Sequence, residues 1–366
     1  MTTSSVAVEQ LEVSAYRLPT DAPNESDGTF TWSETILVLV EAQAGGVTGL
    51  GYTYADVAAA HLICDGLGDV VRGKDAMATA EIWQAMVSHV RNIGRPGIAS
   101  MAISAIDVAL WDLKARLLDL PLATLLGVAR QAAPVYGSGG FTSYSIERLR
   151  DQLSGWVDEG IPRVKMKVGR DPRADVKRVA AARTAIGSHA ELFVDANGAY
   201  DRKLALAQAE RFADERVTWF EEPVVFWDLD GLRICRDRAP AGMEISIGEY
   251  GYTPVDFART LDAQAVDVLQ ADASRCEGIT GLLIVDALCE ARGIPLSTHC
   301  APSLHAHPAC ALKRLRHVEY FHDHVRIEHM LFDGALTPVE GALCPDLTRP
   351  GMGLEFKHAD ARRFAF

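Results

Sequence analysis

Arg163-Val164-Lys165-Met166-Lys167-Val168-Gly169, Leu192-Phe193-Val194-Asp195-Ala196-Asn197-Gly198 and Val217-Thr218-Trp219-Phe220-Glu221-Glu222-Pro223 share one construction. A short apolar strand pattern ends in charged side chains, and a Gly or Pro then stops it. Asp195 and Glu221 lie 221 − 195 = 26 residues apart, and Glu221 and Glu249 lie 249 − 221 = 28 apart. Each gap holds one strand and one return helix, the unit of a parallel sheet. Read outward, the unit recurs from about Pro134. Strands are predicted near Val135 to Phe141, Arg163 to Val168, Leu192 to Asp195, Val217 to Glu221, Glu244 to Gly248, Val266 to Ala271, Pro295 to Thr298 and Val318 to Phe321. Seven helical patterns separate them, among them Ile146 to Asp158, Leu204 to Asp214 and Ile279 to Ala291, and no clear helix follows the eighth strand. Regular alternation of this kind predicts an α/β fold with a (β/α)8-type barrel rather than an open sheet.

The residues before the barrel have a different texture. Alternating residues at Val6 to Arg17, a β-branched run at Thr35 to Val40 and a Gly45-Gly46 turn into Val47 to Tyr54 predict a hairpin sheet. Helical spacing follows over about Ala55 to Val71, Thr79 to Val90 and Ile98 to Leu118, which makes an α+β domain. The Gly- and Pro-rich segment after Leu331 is expected to return to it. The expected division is residues 1–125, then the barrel at 126–335, then 336–366.

Composition narrows the function classes. The 366 residues carry 36 basic and 49 acidic side chains, a formal net charge of −13, so the average surface repels nucleic acid and anionic lipid. A small anionic substrate stays open, because a bound cation and lysines reverse the field inside one cleft. Seven scattered cysteines without a Cys-x-x-Cys pair read as reduced thiols. No apolar run is long enough to span a membrane, and Met1-Thr2-Thr3-Ser4-Ser5 lacks the charged-then-apolar form of a leader, so a cytoplasmic location is expected.

In a barrel, polar groups at the C-terminal ends of strands carry the chemistry. Lys165 and Lys167, two apart, share one face of strand two, where both faces are ordinarily buried. They line an open site or mark a solvated strand edge. Asp195, Glu221 and Glu249 end strands three, four and five. Any one of them reads equally well as a helix cap or surface ion pair. Three converging carboxylates need a cation between them, and an all-oxygen donor set suits Mg²⁺, with Mn²⁺ as alternative. Asp272 and His299 end neighbouring strands six and seven, where a carboxylate orients an imidazole and raises its pKa. Glu319 ends strand eight. His305, His307, His317, His322, His324 and His329 are dense enough to raise a zinc site, but a supporting or surface role is the preferred reading. Gly137-Ser138-Gly139-Gly140 lacks the phosphate-loop pattern and reads as turn geometry.

The ordered set Lys-x-Lys, Asp-x-Asn, Glu-Glu-Pro, Gly-Glu, Asp and His on consecutive strands resembles the mandelate racemase subgroup of the enolase superfamily. The resemblance spans essentially the whole chain and implies a modified barrel beneath an N-terminal capping domain. It implies that Lys167 is the base on one substrate face, with Lys165 lowering its pKa, and that Asp195, Glu221 and Glu249 hold Mg²⁺. Glu221 is preferred to Glu222 because the family's ligand is the acid two before the proline. His299, paired with Asp272, would act on the opposite face, and Glu319 would hydrogen-bond the substrate carboxylate through a proton it carries or shares. Asn197, Trp32, Tyr52 and Tyr54 are the expected substrate contacts, the last two from a turn after Gly51. The polar stretch Thr20 to Trp32 favours a hydroxyl-rich ligand.

The implied chemistry is removal of the proton α to a carboxylate through an enediolate. Dehydration of a sugar acid to a 2-keto-3-deoxy acid ranks first. Cycloisomerisation of a lactone or anhydro sugar acid ranks second, and racemisation or epimerisation of a 2-hydroxy acid third. A noncatalytic binding protein on the same barrel is the alternative of another class, and a zinc hydrolase lacks ligands at the needed strand ends. The family also implies a homo-oligomer.

Overall fold

The computed structural model describes residues 5–366, so the leaderless reading of the polar start falls, for Met1–Ser4, outside the described residues. Strands β1 (Gln10–Pro19), β2 (Glu34–Ala44) and β3 (Val47–Tyr54) form an antiparallel meander in the order β1-β2-β3. Gly45 and Gly46, with φ of 57° and 75°, close the β2–β3 hairpin in the left-handed conformation that a tight hairpin turn demands. One face of this sheet packs on the helix Ile98–Leu117, most of whose residues are buried. The approach is close because Gly49 and Gly51 lack side chains. A Cβ would stand 2.4 Å from the carbonyl oxygen of Ala109 at the first and 2.2 Å from that of Ala105 at the second.

The barrel strands are β4 (Ala133–Gly139), β5 (Arg163–Lys167), β6 (Glu191–Asp195), β7 (Val217–Glu221), β8 (Glu244–Ile247), β9 (Val268–Ala271), β10 (Leu296–Thr298) and β11 (Leu315–Phe321). They pair in parallel in sequence order, and β11 pairs with β4 to close the ring. Among the described residues a helix follows every barrel strand, including His322–Leu331 after the eighth. That last helix was missed because His322, Asp323, His324 and Arg326 mask its buried Ile327 and Leu331, leaving a weak apolar stripe. Gly137 and Gly139, read as turn residues, lie inside β4.

The helices follow their sequence cues. In Ile146–Asp158, Ser145 accepts a hydrogen bond from the Arg148 amide at 3.2 Å as N-cap, and Leu149, Leu153 and Trp156 form the buried stripe at spacings of four and three. Burying each such apolar side chain contributes about 1.5–3 kcal/mol. Within the barrel, Tyr136, Phe193, Trp219 and Val268 make a separate buried cluster beneath the functional layer.

The chain after Leu331 touches both units. Ala342–Leu343 pairs antiparallel with β4, while Arg116 pairs with Glu355, and buried Asp112 accepts the amides of Leu50 at 2.8 Å and Met352 at 2.6 Å. All seven cysteines are unpaired, as their scatter predicts. Among the described residues no helix is long and apolar enough to cross a membrane.

Candidate active site

Period-two alternation builds the site. Each polar strand end stands above a residue two positions earlier on the same inward face: Lys167 above Lys165, Asp195 above Phe193, Glu221 above Trp219, Asp272 above Gln270, and Glu319 above His317. The lower layer is aromatic and polar, and it serves the upper one. Trp219 Nε1 and Gln270 Nε2 donate to Glu221 Oε2 at 3.0 and 2.9 Å. Gly248 positions Glu249: its φ is 146°, and a Cβ there would collide with the carbonyl oxygen of Gln270 at 1.9 Å, so a bare backbone is required where the strand turns its acid inward.

Asp195, Glu221 and Glu249 are buried and offer carboxylate oxygens that all lie within 4.8 Å of one another. Oxygen ligands of an octahedral Mg²⁺ sit at about 2.0–2.1 Å from the ion, hence about 3–4.2 Å from each other, and three hard donors at this separation fit such a cation. The repulsion between the acids is real. Burial, then Asp195, pushes Glu221 up to about 8, and burial with Glu249 raises Glu222, whose Oε1 is buried without a partner.

The lysines stand where that negative charge is densest. Lys165 Nζ, fully buried, donates to Glu221 Oε1 at 2.7 Å and reaches Glu319 Oε1 at 2.7 Å and Asp195 Oδ2 at 3.6 Å. Lys167 Nζ lies 2.5 Å from Asp195 Oδ2. Burial, the largest single influence, and the repulsion of Lys165 lower the pKa of Lys167, but the charges of Asp195, Glu249 and Glu221 together outweigh them, and the net direction is upward. The expected lowering by Lys165 is therefore present but overruled in this arrangement. Burial opposes the charge of Glu319, yet Lys165 and His299 hold it well below the usual carboxylate range, which favours a proton shared with Lys165 Nζ at 2.7 Å over one that Glu319 carries itself.

On the other side, His299 Nδ1 meets Asp272 Oδ2 at 2.9 Å, and its Nε2 faces Glu249 Oε2 at 3.1 Å and Cys300 Sγ at 3.3 Å. Burial favours the neutral ring, but Cys300, Glu319 and the Asp272 hydrogen bond prevail and raise its pKa well above the ordinary value. Asp272 is fixed in turn by the Ser274 amide at 2.7 Å, and Glu319 Oε2 accepts the Cys300 amide at 2.8 Å. Strands β5 and β10, which carry Lys167 and His299, are three places apart round the ring, on opposing walls.

These groups open into a cavity of about 690 Å³ beneath the N-terminal domain. Lys167, Asn197, Glu249, His299 and Glu319 line its floor, and Trp32, Tyr54, Phe30, Ile98 and Met101 its roof. Asn197 bonds its amide to Asp195 Oδ1 at 2.8 Å and leaves its own Oδ1 unpartnered. Tyr52 does not belong here. It sits within β3, not in a turn, is fully buried, and donates to Glu328 Oε1 at 2.8 Å; it shares a strand face with Tyr54, but two residues earlier it packs on Phe332 instead of opening into the cavity. Reading missed Arg275, Tyr250, Tyr252 and Cys300, which also line the cavity. Tyr250 and Cys300 directly follow Glu249 and His299, and Arg275 stands three residues after Asp272, which was the available signal. The dense histidines act as supports: His305 Nε2 accepts the Ala273 amide at 2.9 Å, and His324 accepts that of Ala301 at 3.2 Å while stacking on Tyr54.

A parallel barrel roofed by an antiparallel meander, with hard-oxygen donors between a lysine pair and a His–Asp dyad, defines the enolase class of barrel. Residues 148–361 match the family model described as enolase C-terminal domain-like, and residues 16–127 match that of the mandelate racemase / muconate lactonizing enzyme N-terminal domain. The chain belongs to the mandelate racemase subgroup of the enolase superfamily. It is 34% identical over 356 residues to the 3,6-anhydro-alpha-L-galactonate cycloisomerase of Streptomyces coelicolor, covering 95% of this chain and 96% of that protein. A crystal structure of a mandelate racemase/muconate lactonizing enzyme-like protein from Rubrobacter xylanophilus superposes with a TM-score of 0.96 at 54% identity, over 98% of this chain and 100% of the other. The L-talarate dehydratase of Polaromonas sp. JS666, crystallised with Mg and L-glucarate, gives a TM-score of 0.90 at 30% identity, over 99% and 98%.

Proposed function

We propose that this protein removes the proton α to the carboxylate of a sugar acid and expels the oxygen on the next carbon, with Mg²⁺ held by Asp195, Glu221 and Glu249. The observation that carries the reading is the acid trio, within 4.8 Å, set between Lys167 on one wall and the His299–Asp272 dyad on the other. The bound cation supplies Lewis-acid stabilisation of the negative charge that develops on the substrate carboxylate.

The chain's own residues do the rest. With Asp195 serving as a ligand, Lys167 has Lys165 as its charged neighbour, and that repulsion makes the neutral amine available as a base. Lys167 takes the α-proton from one face. His299, held in one tautomer by Asp272 at Nδ1, presents Nε2 to the opposite face and gives its proton to the departing β-oxygen. The carbon–oxygen bond breaks, and the resulting enol tautomerises to a 2-keto-3-deoxy acid. Glu319, ionised beside Lys165, accepts donors and anchors that end of the site. Asn197, Trp32 and Tyr54 contact the substrate. The roof, residues 1–125, and the return, 336–366, frame a barrel of 126–335 that carries the reacting groups.

Dehydration of an open-chain sugar acid, as in the name of the Polaromonas relative, is the first reading. A second is favoured by the Streptomyces relative, whose name places an ether oxygen on the β-carbon. There the same two proton transfers open the ring, and no water leaves. The net charge of −13 supports a free small molecule as partner over nucleic acid or anionic membrane, and we take the protein to be a cytoplasmic homo-oligomer. The test is a keto-acid assay over sugar acids and their anhydro and lactone forms, with Mg²⁺ and with chelator. A keto acid formed only with metal supports the reading; chelator-insensitive product, or no keto acid from any of them, counts against it.

A further inference from the structure

The segment that roofs the cavity is fastened by a pair of acids that the proposed chemistry does not use. Glu25 and Trp32 face each other in the two-residue antiparallel pair Glu25–Ser26 with Thr31–Trp32. Both reach Asp323, in the helix after β11: Trp32 Nε1 donates to Asp323 Oδ2 at 3.1 Å, and the Glu25 carboxyl faces the Asp323 carboxyl with no donor between them. Glu25 is 0% exposed and Asp323 1%, and Glu25 Oε2 and Asp323 Oδ1 receive no donor from any other group. Two carboxyl groups hydrogen-bond only with a proton between them.

We propose that Glu25 is a positioning residue whose protonated carboxyl, shared with Asp323, fixes the Asp27–Trp32 segment over the cavity and thereby sets the wall made by Phe30 and Trp32. The surrounding charges agree. From its own segment Asp21 faces Glu25, and Asp21 is itself bound to Arg148 at 2.8 Å and to His322 Nε2 at 2.8 Å. From the stretch after β4, Tyr144 donates to Glu25 Oε1 at 2.9 Å, and Arg148 donates to the Tyr144 hydroxyl at 3.0 Å. From the helix after β11 come His322 and Asp323. Arg148 is thus engaged by Asp21 and Tyr144, and Glu25 meets two acids without a cation of its own. Burial, then Asp323, pushes its carboxyl up to about 10.

The direction of the pH effect follows. A raised pKa in the docked state means that docking takes up a proton, so the contribution is complete below about 4.3, the ordinary Glu value, declines above it, and is gone once pH passes the docked value. Arg170 donates to the carbonyl of Phe30 at 2.8 Å and so fastens the same segment by a second contact, one that Glu25→Gln leaves in place.

Hydrogen exchange of the peptide spanning 20–33 in the intact chain, corrected for intrinsic rates, tests the proposal without any substrate, so its failure is separable from failure of the proposed function. Between about pH 6 and pH 9 protection in the wild type falls by at least about tenfold, against a linkage ceiling of about tenfold per pH unit. In Glu25→Gln, whose amide donates to Asp323 without titrating, the fall is under about twofold. Should that variant not fold, Asp323→Asn supplies the donor from the other side and carries the same expectation. An equal fall in wild type and variant overturns the proposal. So does wild-type protection at about pH 9 that returns on adding a divalent cation, because Asp21, Glu25 and His322 would then be holding a metal in place of the proton.

Discussion

Asp272→Asn isolates the dyad from the rest of the site. The substitution keeps the size of the side chain and the acceptor for the Ser274 amide, and it removes one negative charge 2.9 Å from His299 Nδ1. Both partners are buried, so water screens the interaction little. At an effective dielectric of about 20 and a charge separation of about 4 Å, the lost attraction is about 4 kcal/mol, or close to a thousandfold in the protonation of the imidazole. An Asn that donates to Nδ1 also favours the neutral ring with its one proton on Nε2, and a neutral imidazole is a far weaker acid than the imidazolium that the departing oxygen needs. Turnover of a sugar acid by Asp272→Asn therefore falls by about 10³, while exchange of the α-proton on the Lys167 face persists to within about tenfold. The assay is NMR in D₂O, following product and α-deuteration in one tube, with circular dichroism to establish folding. Wild-type turnover, or loss of exchange in step with turnover, refutes the division of labour between the two walls.

Further substitutions test other parts. Lys167→Ala abolishes exchange and turnover while the melting temperature stays within a few degrees; measurable exchange in this variant removes Lys167 as the base. Glu221→Gln weakens Mg²⁺ binding in calorimetry more than Glu222→Gln does, since Glu221 belongs to the trio and Glu222 does not; equal losses undercut the choice. Asp112→Ala strips buried partners from the Leu50 and Met352 amides and from Arg116 Nε at 2.7 Å, and costs about 3–5 kcal/mol in denaturant unfolding. A change below about 1 kcal/mol would show that the return segment is held elsewhere.

The barrel was legible because its signals are local and repeated. Apolar strands that end in polar or charged side chains, about one βα unit apart, with Gly or Pro following on the second, third and fourth, place Lys167, Asp195, Glu221, Glu249, Asp272, His299 and Glu319 at strand ends, and the closed ring brings them together. What was not legible depends on contacts between distant segments. Val47 to Tyr54 reads as a strand, yet Gly49 and Gly51, which admit the helix Ile98–Leu117 on one face, also suggest a turn, and only the packing of the other face shows that Tyr52 meets Glu328 while Tyr54 reaches the cavity. The ionised state of Glu319 comes from Lys165, 154 residues earlier (319 − 165), and no spacing rule pairs them. The Glu25–Asp323 pair likewise joins residues from opposite ends of the chain, each an ordinary surface acid when read alone. The final barrel helix failed the periodicity test because its polar face carries the buried supports His324 and Glu328.

The most direct test of the central claim is α-proton exchange. Wild-type protein with Mg²⁺ in D₂O, given a panel of sugar acids and followed by NMR, is compared with the same protein under chelator and with Lys167→Ala. Deuterium entering the position next to the carboxylate of at least one acid, lost in both controls, is the predicted result. Turnover of a sugar acid that proceeds with no dependence on Mg²⁺ or Lys167, or a panel in which no α-proton exchanges and none is eliminated, contradicts it.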